Sequence, residues 1–214
     1  MSEKRPHTNN PVTGDGRKRT ALFFGSFNPV HVGHLVIANC MLQQEDIDEV
    51  WLVVSPQNPL KERSTLLADH HRLQMVRRAV DDNYLLRACD IEMHLPLPSY
   101  TVVTLAALGE KYPDREFSLI MGSDNLQTLP RWRNYEYILE HYKIHVYPRP
   151  GSDQAPLRNH PNVIMADVPM MDISSSYIRA QIQAGKDVRY LLTEPVYRYL
   201  TEMHFYEPRQ KSMC

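Results

Sequence analysis

Cysteine is scarce in this chain: Cys40, Cys89 and Cys214 are its three, widely spaced and without a C-x-x-C pair among 214 residues. So odd and scattered a set argues against a disulfide framework or a structural zinc site, and it fits a reducing cytoplasm. Long apolar runs are missing too. No stretch approaches the ~18 residues of a membrane-spanning helix, so no membrane partner is expected. Met1 to Thr20 is polar and lacks the apolar h-region of a secretory signal. Nor is there a surplus of one charge: 24 Lys and Arg face 25 Asp and Glu, for a net charge of −1. A dedicated nucleic-acid binder normally carries a basic surplus, so that class is disfavoured. A small phosphate site remains open, since it needs only a few local cations. Internal repeats, low-complexity segments and linkers are also lacking.

What remains is an ordinary globular composition, 43% hydrophobic and 23% charged, in a chain long enough for one α/β domain. Residues 1–19 have scarcely an apolar side chain and read as a disordered polar tail, with Arg17-Lys18-Arg19 a solvated lead-in. The folded domain is expected over 20–207. Its first strand is Ala21-Leu22-Phe23-Phe24, closed by Gly25, and a helix follows from Leu35 to Leu42. Further strands are expected at Glu49–Ser55, Leu85–Met93, Glu116–Met121, Lys143–Tyr147 and Asn162–Val168. Between them, Leu73, Val76 and Val80 share one face of a helix whose polar neighbours face out, and Thr101–Tyr112 forms another. Ser174 is a candidate N-cap and Gly185 a candidate stop for the next helix, and Glu194–His204 forms the last. Strands alternating with helices of this length predict a Rossmann-like, doubly wound α/β fold with a mostly parallel sheet and a C-terminal helical portion. Ligands of such sheets bind beyond the carboxyl ends of the strands.

The segment Gly25-Ser26-Phe27-Asn28-Pro29-Val30-His31-Val32-Gly33-His34 lies at such an end. Gly25 permits a sharp turn, Ser26 and Phe27 offer main-chain N–H groups, and the following helix contributes its positive end. His31 and His34, three residues apart, project to one side of a helical turn. Gly33 leaves room for a nucleotide near the backbone. An H-x-x-H pair also occurs by chance on surfaces, but here it comes in register with the strand, both glycines and the Asn-Pro turn. Zinc is a weaker reading, because no third ligand lies nearby. A second segment, Asp172-Ile173-Ser174-Ser175-Ser176-Tyr177-Ile178-Arg179, opens a later helix. Its hydroxyls and free N–H groups make an anion cradle, and Arg179, one turn on, can bond phosphate oxygens. Alone, a serine triplet is as often just a helix cap.

The two segments together resemble the H-x-G-H nucleotidylyltransferase superfamily, and within it bacterial nicotinate-mononucleotide adenylyltransferase. The first matches that family's opening signature, with Asn28 where aspartate is common. The second matches its I-S-S/T-x-x-I-R signature. The likeness extends to Asn58 and Lys61, to Ser99-Tyr100-Thr101, to Gly122, Asp124, Leu129 and Trp132, and to Arg149-Pro150-Gly151; Thr193 departs from a common proline. It covers about 20–204.

The resemblance implies an enzyme that transfers the adenylyl group of ATP to nicotinate mononucleotide, with Mg²⁺ carried on the ATP and no metal bound by the protein itself. It assigns catalysis to His31, His34 and Arg179. ATP falls to Gly25, Ser26, Phe27, His31, Gly33, His34, Gly122, Asp124, Arg149, Ser174, Ser175, Ser176 and Arg179. The mononucleotide falls to Asn58, Lys61, Tyr100, Thr101 and Trp132. Trp132, flanked by Arg131 and Arg133, is badly placed for full burial and well placed to stack on a cationic pyridinium. The carboxylate would meet N–H groups at the start of the Thr101 helix. Rivals on the same scaffold are a phosphopantetheine adenylyltransferase, a CTP-using cytidylyltransferase, a nicotinamide mononucleotide enzyme and a non-catalytic nucleotide sensor. A binding module acting through Arg17–Arg19 is weaker still. Oligomeric state is open, a homo-oligomer included.

Overall fold

A computed structural model of the chain describes residues 16–56, 66–152 and 156–208. Among the described residues six strands alternate with seven α-helices. The strands are β1 (Lys18–Gly25), β2 (Glu49–Val54), β3 (Leu86–Cys89), β4 (Arg115–Gly122), β5 (Ile144–Tyr147) and β6 (Val163–Met165). The helices are α1 (Val32–Met41), α2 (Asp69–Val80), α3 (Thr101–Lys111), α4 (Ser123–Thr128), α5 (Tyr135–His141), α6 (Ser175–Gln183) and α7 (Glu194–Glu202). All strand pairs are parallel, in the order β3-β2-β1-β4-β5-β6. This is the expected doubly wound fold. Its topological switch lies between β1 and β4, so the crevice for a ligand opens beside Gly25 and Gly122.

Alternation along the strands divides the core in two. Ala21, Phe23, Val50 and Leu52 face α1, α2, α6 and α7, where Met41, Val76, Ile178 and Val196 meet them. Leu22, Trp51, Val53 and Leu119 face the other way, toward Leu105 and Leu108 of α3, Leu126 of α4 and Ile138 of α5. Both faces of β2 are covered, and all six of its residues are buried.

Several expectations change in detail. The supposed lead-in is already strand: Lys18 pairs with Glu49 at 2.7 Å, and Arg19 grips Asp48 through Nε at 3.0 Å and Nη2 at 2.6 Å. Glu49 is buried and also accepts from Thr20 Oγ1 and Arg115. Lys18 and Arg19 are thus paired with carboxylates, Arg19 with little exposure and Lys18 still partly in water. The third strand ends at Cys89, and Ile91–His94 forms a 3-10 helix. That turn buries Glu92, whose carboxylate accepts from Thr104 Oγ1 at 2.8 Å and Ser99 Oγ at 3.1 Å. Between β4 and β5, where no helix was assigned, α4, a 3-10 helix (Leu129–Arg131) and α5 follow one another. On α2 the polar side chains do not all face out: Arg72 is fully buried.

Candidate active site

Gly25 ends β1, and the chain runs through Ser26–Val30 to His31, the N-cap residue of α1. Phe27 has φ of 45°, a left-handed conformation costing about 1–3 kcal/mol in a non-glycine residue. Burial offsets this, since the Phe27 ring is 1% exposed and packs edge-on against Phe23 and His34. The glycines have a more local reason than expected. A Cβ on Gly25 would stand 2.9 Å from the Phe27 ring, and one on Gly33 would stand 3.1 Å from the His31 ring. Room at these positions serves the loop's own side chains first.

The two histidine rings are neighbours, with centroids 3.7 Å apart and planes inclined at 31°. The His31 main-chain N–H donates to Nδ1 of His34 at 3.2 Å. A neutral His34 therefore carries its proton on Nε2, as a donor. His31 is buried, and its pKa falls to about 4, first from burial and then from the Arg149 guanidinium. It is therefore uncharged at neutral pH. Arg149 follows β5, its main-chain N–H donating to Ser123 Oγ at 2.8 Å. His31, His34, Gly33, Arg149, Met171 and Ile173 line one cleft. Gly122 borders the same region, and a Cβ there would fall 2.3 Å from Asp124 Oδ1 and 3.0 Å from Arg149 Cγ.

The second expected segment docks on the first. Arg179 donates through Nη1 to the Asn28 carbonyl at 2.8 Å, and Ser175 Oγ donates to the Pro29 carbonyl at 2.9 Å. Ser174 caps α6 by accepting from the Tyr177 N–H at 3.1 Å. Such a cap is worth about 1 kcal/mol. Ser176 Oγ accepts from Arg179 Nη2 at 3.3 Å. All three hydroxyls thus have protein partners, but Ser174 and Ser176 only accept in these bonds, and each keeps an O–H donor for an anion. The start of α6 can therefore offer an anion its main-chain N–H groups, the Ser174 and Ser176 O–H donors and the rest of the Arg179 guanidinium.

Sequence reasoning missed the support beneath this loop. Arg72 Nη1 donates to the carbonyls of Ser26 at 2.6 Å and Ser55 at 2.8 Å; its Nε donates to Leu67 O, and its Nη2 to Pro56 O and Asp69. One guanidinium therefore gathers the carbonyls after β1 and β2 on the far side of the loop. Its position gave a signal, because residues 72, 75, 76 and 79 form a single helical stripe and the other three are buried apolar residues. The Asn28 side chain also has partners, accepting from Tyr206 Oη at 2.7 Å and the Leu67 N–H at 3.2 Å. Burial pushes the Tyr206 hydroxyl pKa up, which keeps it a donor. Nothing in the tail's composition announces that contact.

Of the residues expected to hold the mononucleotide, Tyr100 is the N-cap residue of α3, and Thr101 begins that helix. Trp132 is half-buried against the α3–α5 core, with its main-chain N–H donating to Leu129 O at 2.8 Å. Arg133 reaches across to Tyr100, its Cζ 4.9 Å from the ring centroid. Asn58 and Lys61 lie outside the described residues.

Comparison with known proteins identifies the family and the fold. Residues 22–181 match the cytidylyltransferase-like family model. A probable nicotinate-nucleotide adenylyltransferase of Flavobacterium johnsoniae is 51% identical over 88% of this chain and 99% of its own length. One of Bacteroides fragilis is 46% identical over 87% and 92%. Among solved structures, the nicotinic acid mononucleotide adenylyltransferase of Plasmodium falciparum complexed with NaAD superposes with a TM-score of 0.75. That match has 20% identity and covers 89% of this chain and 98% of the other, a likeness of fold. The chain belongs to the nicotinate-nucleotide adenylyltransferases of the cytidylyltransferase-like family.

Proposed function

We propose that the chain joins the adenylyl group of ATP to the phosphate of nicotinate mononucleotide, releasing pyrophosphate and forming nicotinate adenine dinucleotide for NAD biosynthesis in the cytoplasm. The observation that carries this reading is the Arg179–Asn28 bond, which brings the start of α6 against the loop that opens α1. Both helix starts favour anions, so one triphosphate can lie across them.

The acceptor is already a nucleophile. A phosphomonoester has its second pKa near ~6, so at neutral pH it needs no strong general base. The protein has to hold two anions in line at the α-phosphorus and soften the charge that moves onto pyrophosphate. Orientation alone can supply as much as ~7–11 kcal/mol. His34 donates from Nε2 to an α-phosphate oxygen. Arg179 holds the departing pyrophosphate, and Arg149 adds positive charge on the β5 side. A neutral His31 backs His34 through the ring contact. Trp132 and Tyr100 receive the acceptor's ring, and Lys61 counters phosphate charge.

Among the described residues no group of three or more His, Cys, Asp or Glu stands together as a metal site. A donor set of histidines, arginines and one nearby aspartate, Asp124, suits Mg²⁺ brought in on ATP, where it would draw charge from the phosphate oxygens.

The test is to supply Mg-ATP with each candidate acceptor separately and to measure pyrophosphate. Turnover highest with nicotinate mononucleotide supports the reading. Highest turnover with phosphopantetheine, or turnover only with CTP, overturns it, and binding of ATP without turnover of any acceptor leaves a sensor.

A further inference from the structure

Arg133 stands between two residues that the proposed function gives to the acceptor. It follows Trp132 directly and precedes Asn134, whose φ of 52° turns the chain into α5. Its guanidinium lies over the Tyr100 ring, and among the described residues no carboxylate pairs with it. The first turn of α3, beside that ring, likewise holds no acidic residue. The side chain is exposed, so it serves no core contact. An arginine held by one aromatic ring and next to Trp132, with no carboxylate partner among the described residues, is the observation to be explained.

We propose that Arg133 is a specificity-determining residue that favours the acid over the amide form of the pyridine mononucleotide. The inference rests on the proposed function and goes beyond it by naming the side chain that discriminates. Stacking on Tyr100 occupies the face of the guanidinium and leaves its edge donors directed outward. Those donors match a carboxylate, which only accepts, in bidentate fashion. A carboxamide can meet only one of them with its oxygen and sets its own NH₂ group against the other. Net charge acts in the same direction. A nicotinate ring system balances its pyridinium with a carboxylate, whereas a nicotinamide ring system remains cationic and is repelled by Arg133.

The experiment compares the full chain with Arg133→Gln and Arg133→Lys. The kcat/KM of each is measured with Mg-ATP and nicotinate mononucleotide, and separately with nicotinamide mononucleotide. A charge-assisted bond to a substrate carboxylate corresponds to a loss of about tenfold or more. In Arg133→Gln the acid-to-amide ratio is expected to fall by about that factor, mainly through KM for the acid, with Tm unchanged. Arg133→Lys, which keeps the charge but loses the planar fork, is expected to recover part of the ratio. An unchanged ratio in Arg133→Gln, or equal losses with both acceptors, overturns the inference while leaving the proposed function standing. Turnover of neither mononucleotide by the unaltered chain overturns both.

Discussion

Arg179 and Asn28, 151 residues apart in sequence, are joined by a 2.8 Å hydrogen bond from the guanidinium to the main-chain carbonyl. With the Ser175–Pro29 bond it fixes the start of α6 against the turn that enters α1. The carbonyl, which would repel an anion, is thereby paired with a cation. Replacing Arg179 with Ala removes both that contact and a positive charge. kcat is expected to fall by about 10²–10³, the usual effect of removing one transition-state donor. Arg179→Lys should recover little, because one ammonium cannot bond Asn28 and a phosphate in the same fork geometry. A steady-state comparison of the three proteins checks this.

His34→Ala should lower kcat by a similar factor, about 10²–10³, with a much smaller rise in KM for the mononucleotide. The reason is the tautomer: with Nδ1 accepting from the His31 N–H, Nε2 is the donor, and its loss is felt when charge develops at the α-phosphate. His34→Gln retains an N–H donor and should lie between. A kcat near that of the unaltered protein would remove His34 from the mechanism.

His31 gives the fold an acid-sensitive element. Its folded pKa of about 4 lies below the ordinary 6.5, so between these values the unfolded chain binds more protons than the native one. Stability therefore rises with pH across that window and is lost as pH falls through it, by at most about 3 kcal/mol. His71 and His145 are also shifted down, so the difference between proteins is what matters. Melting curves from pH 7 to pH 4 should show a flatter acid limb in His31→Asn than in the unaltered chain. Parallel limbs would contradict the assignment.

Arg72→Met should be among the most destabilising single changes. It leaves the carbonyls of Ser26, Ser55, Pro56 and Leu67 without their buried donor and Asp69 without its cation. Losing one side of a buried charged network typically costs about 3–5 kcal/mol. At about 2–4 °C per kcal/mol for a domain of this size, Tm should drop by roughly ten degrees, measurable by calorimetry.

How much of this was legible depended on whether the cause was local. The N-cap role of Ser174 and the stop at Gly185, with φ of 69°, are written within a few residues of each helix end, and sequence alone located both. The parallel sheet follows from the strand–helix alternation in the same way. Arg72 was misplaced because most of its partners are main-chain carbonyls, those of Ser26, Ser55 and Pro56 supplied by two distant segments, and a hydropathy pattern counts any arginine as solvent-facing. The same limit explains β3: nothing near Asp90 marks a turn, which exists because Glu92 meets Thr104 and Ser99 across the next loop. The serine triplet meets the same limit. Its residue types suggested phosphate ligands, and what they did not announce is the set of partners already in place: the Tyr177 N–H on Ser174, the Pro29 carbonyl on Ser175 and Arg179 on Ser176.

The chemistry itself can be read at one atom. ATP made with a chiral α-phosphorothioate, incubated with nicotinate mononucleotide, should give a dinucleotide whose α-phosphorus is inverted, as a single in-line displacement between two held anions requires. Retention of configuration would mean that the protein carries the adenylyl group on a side chain, and the account of catalysis by positioning and charge alone would fail.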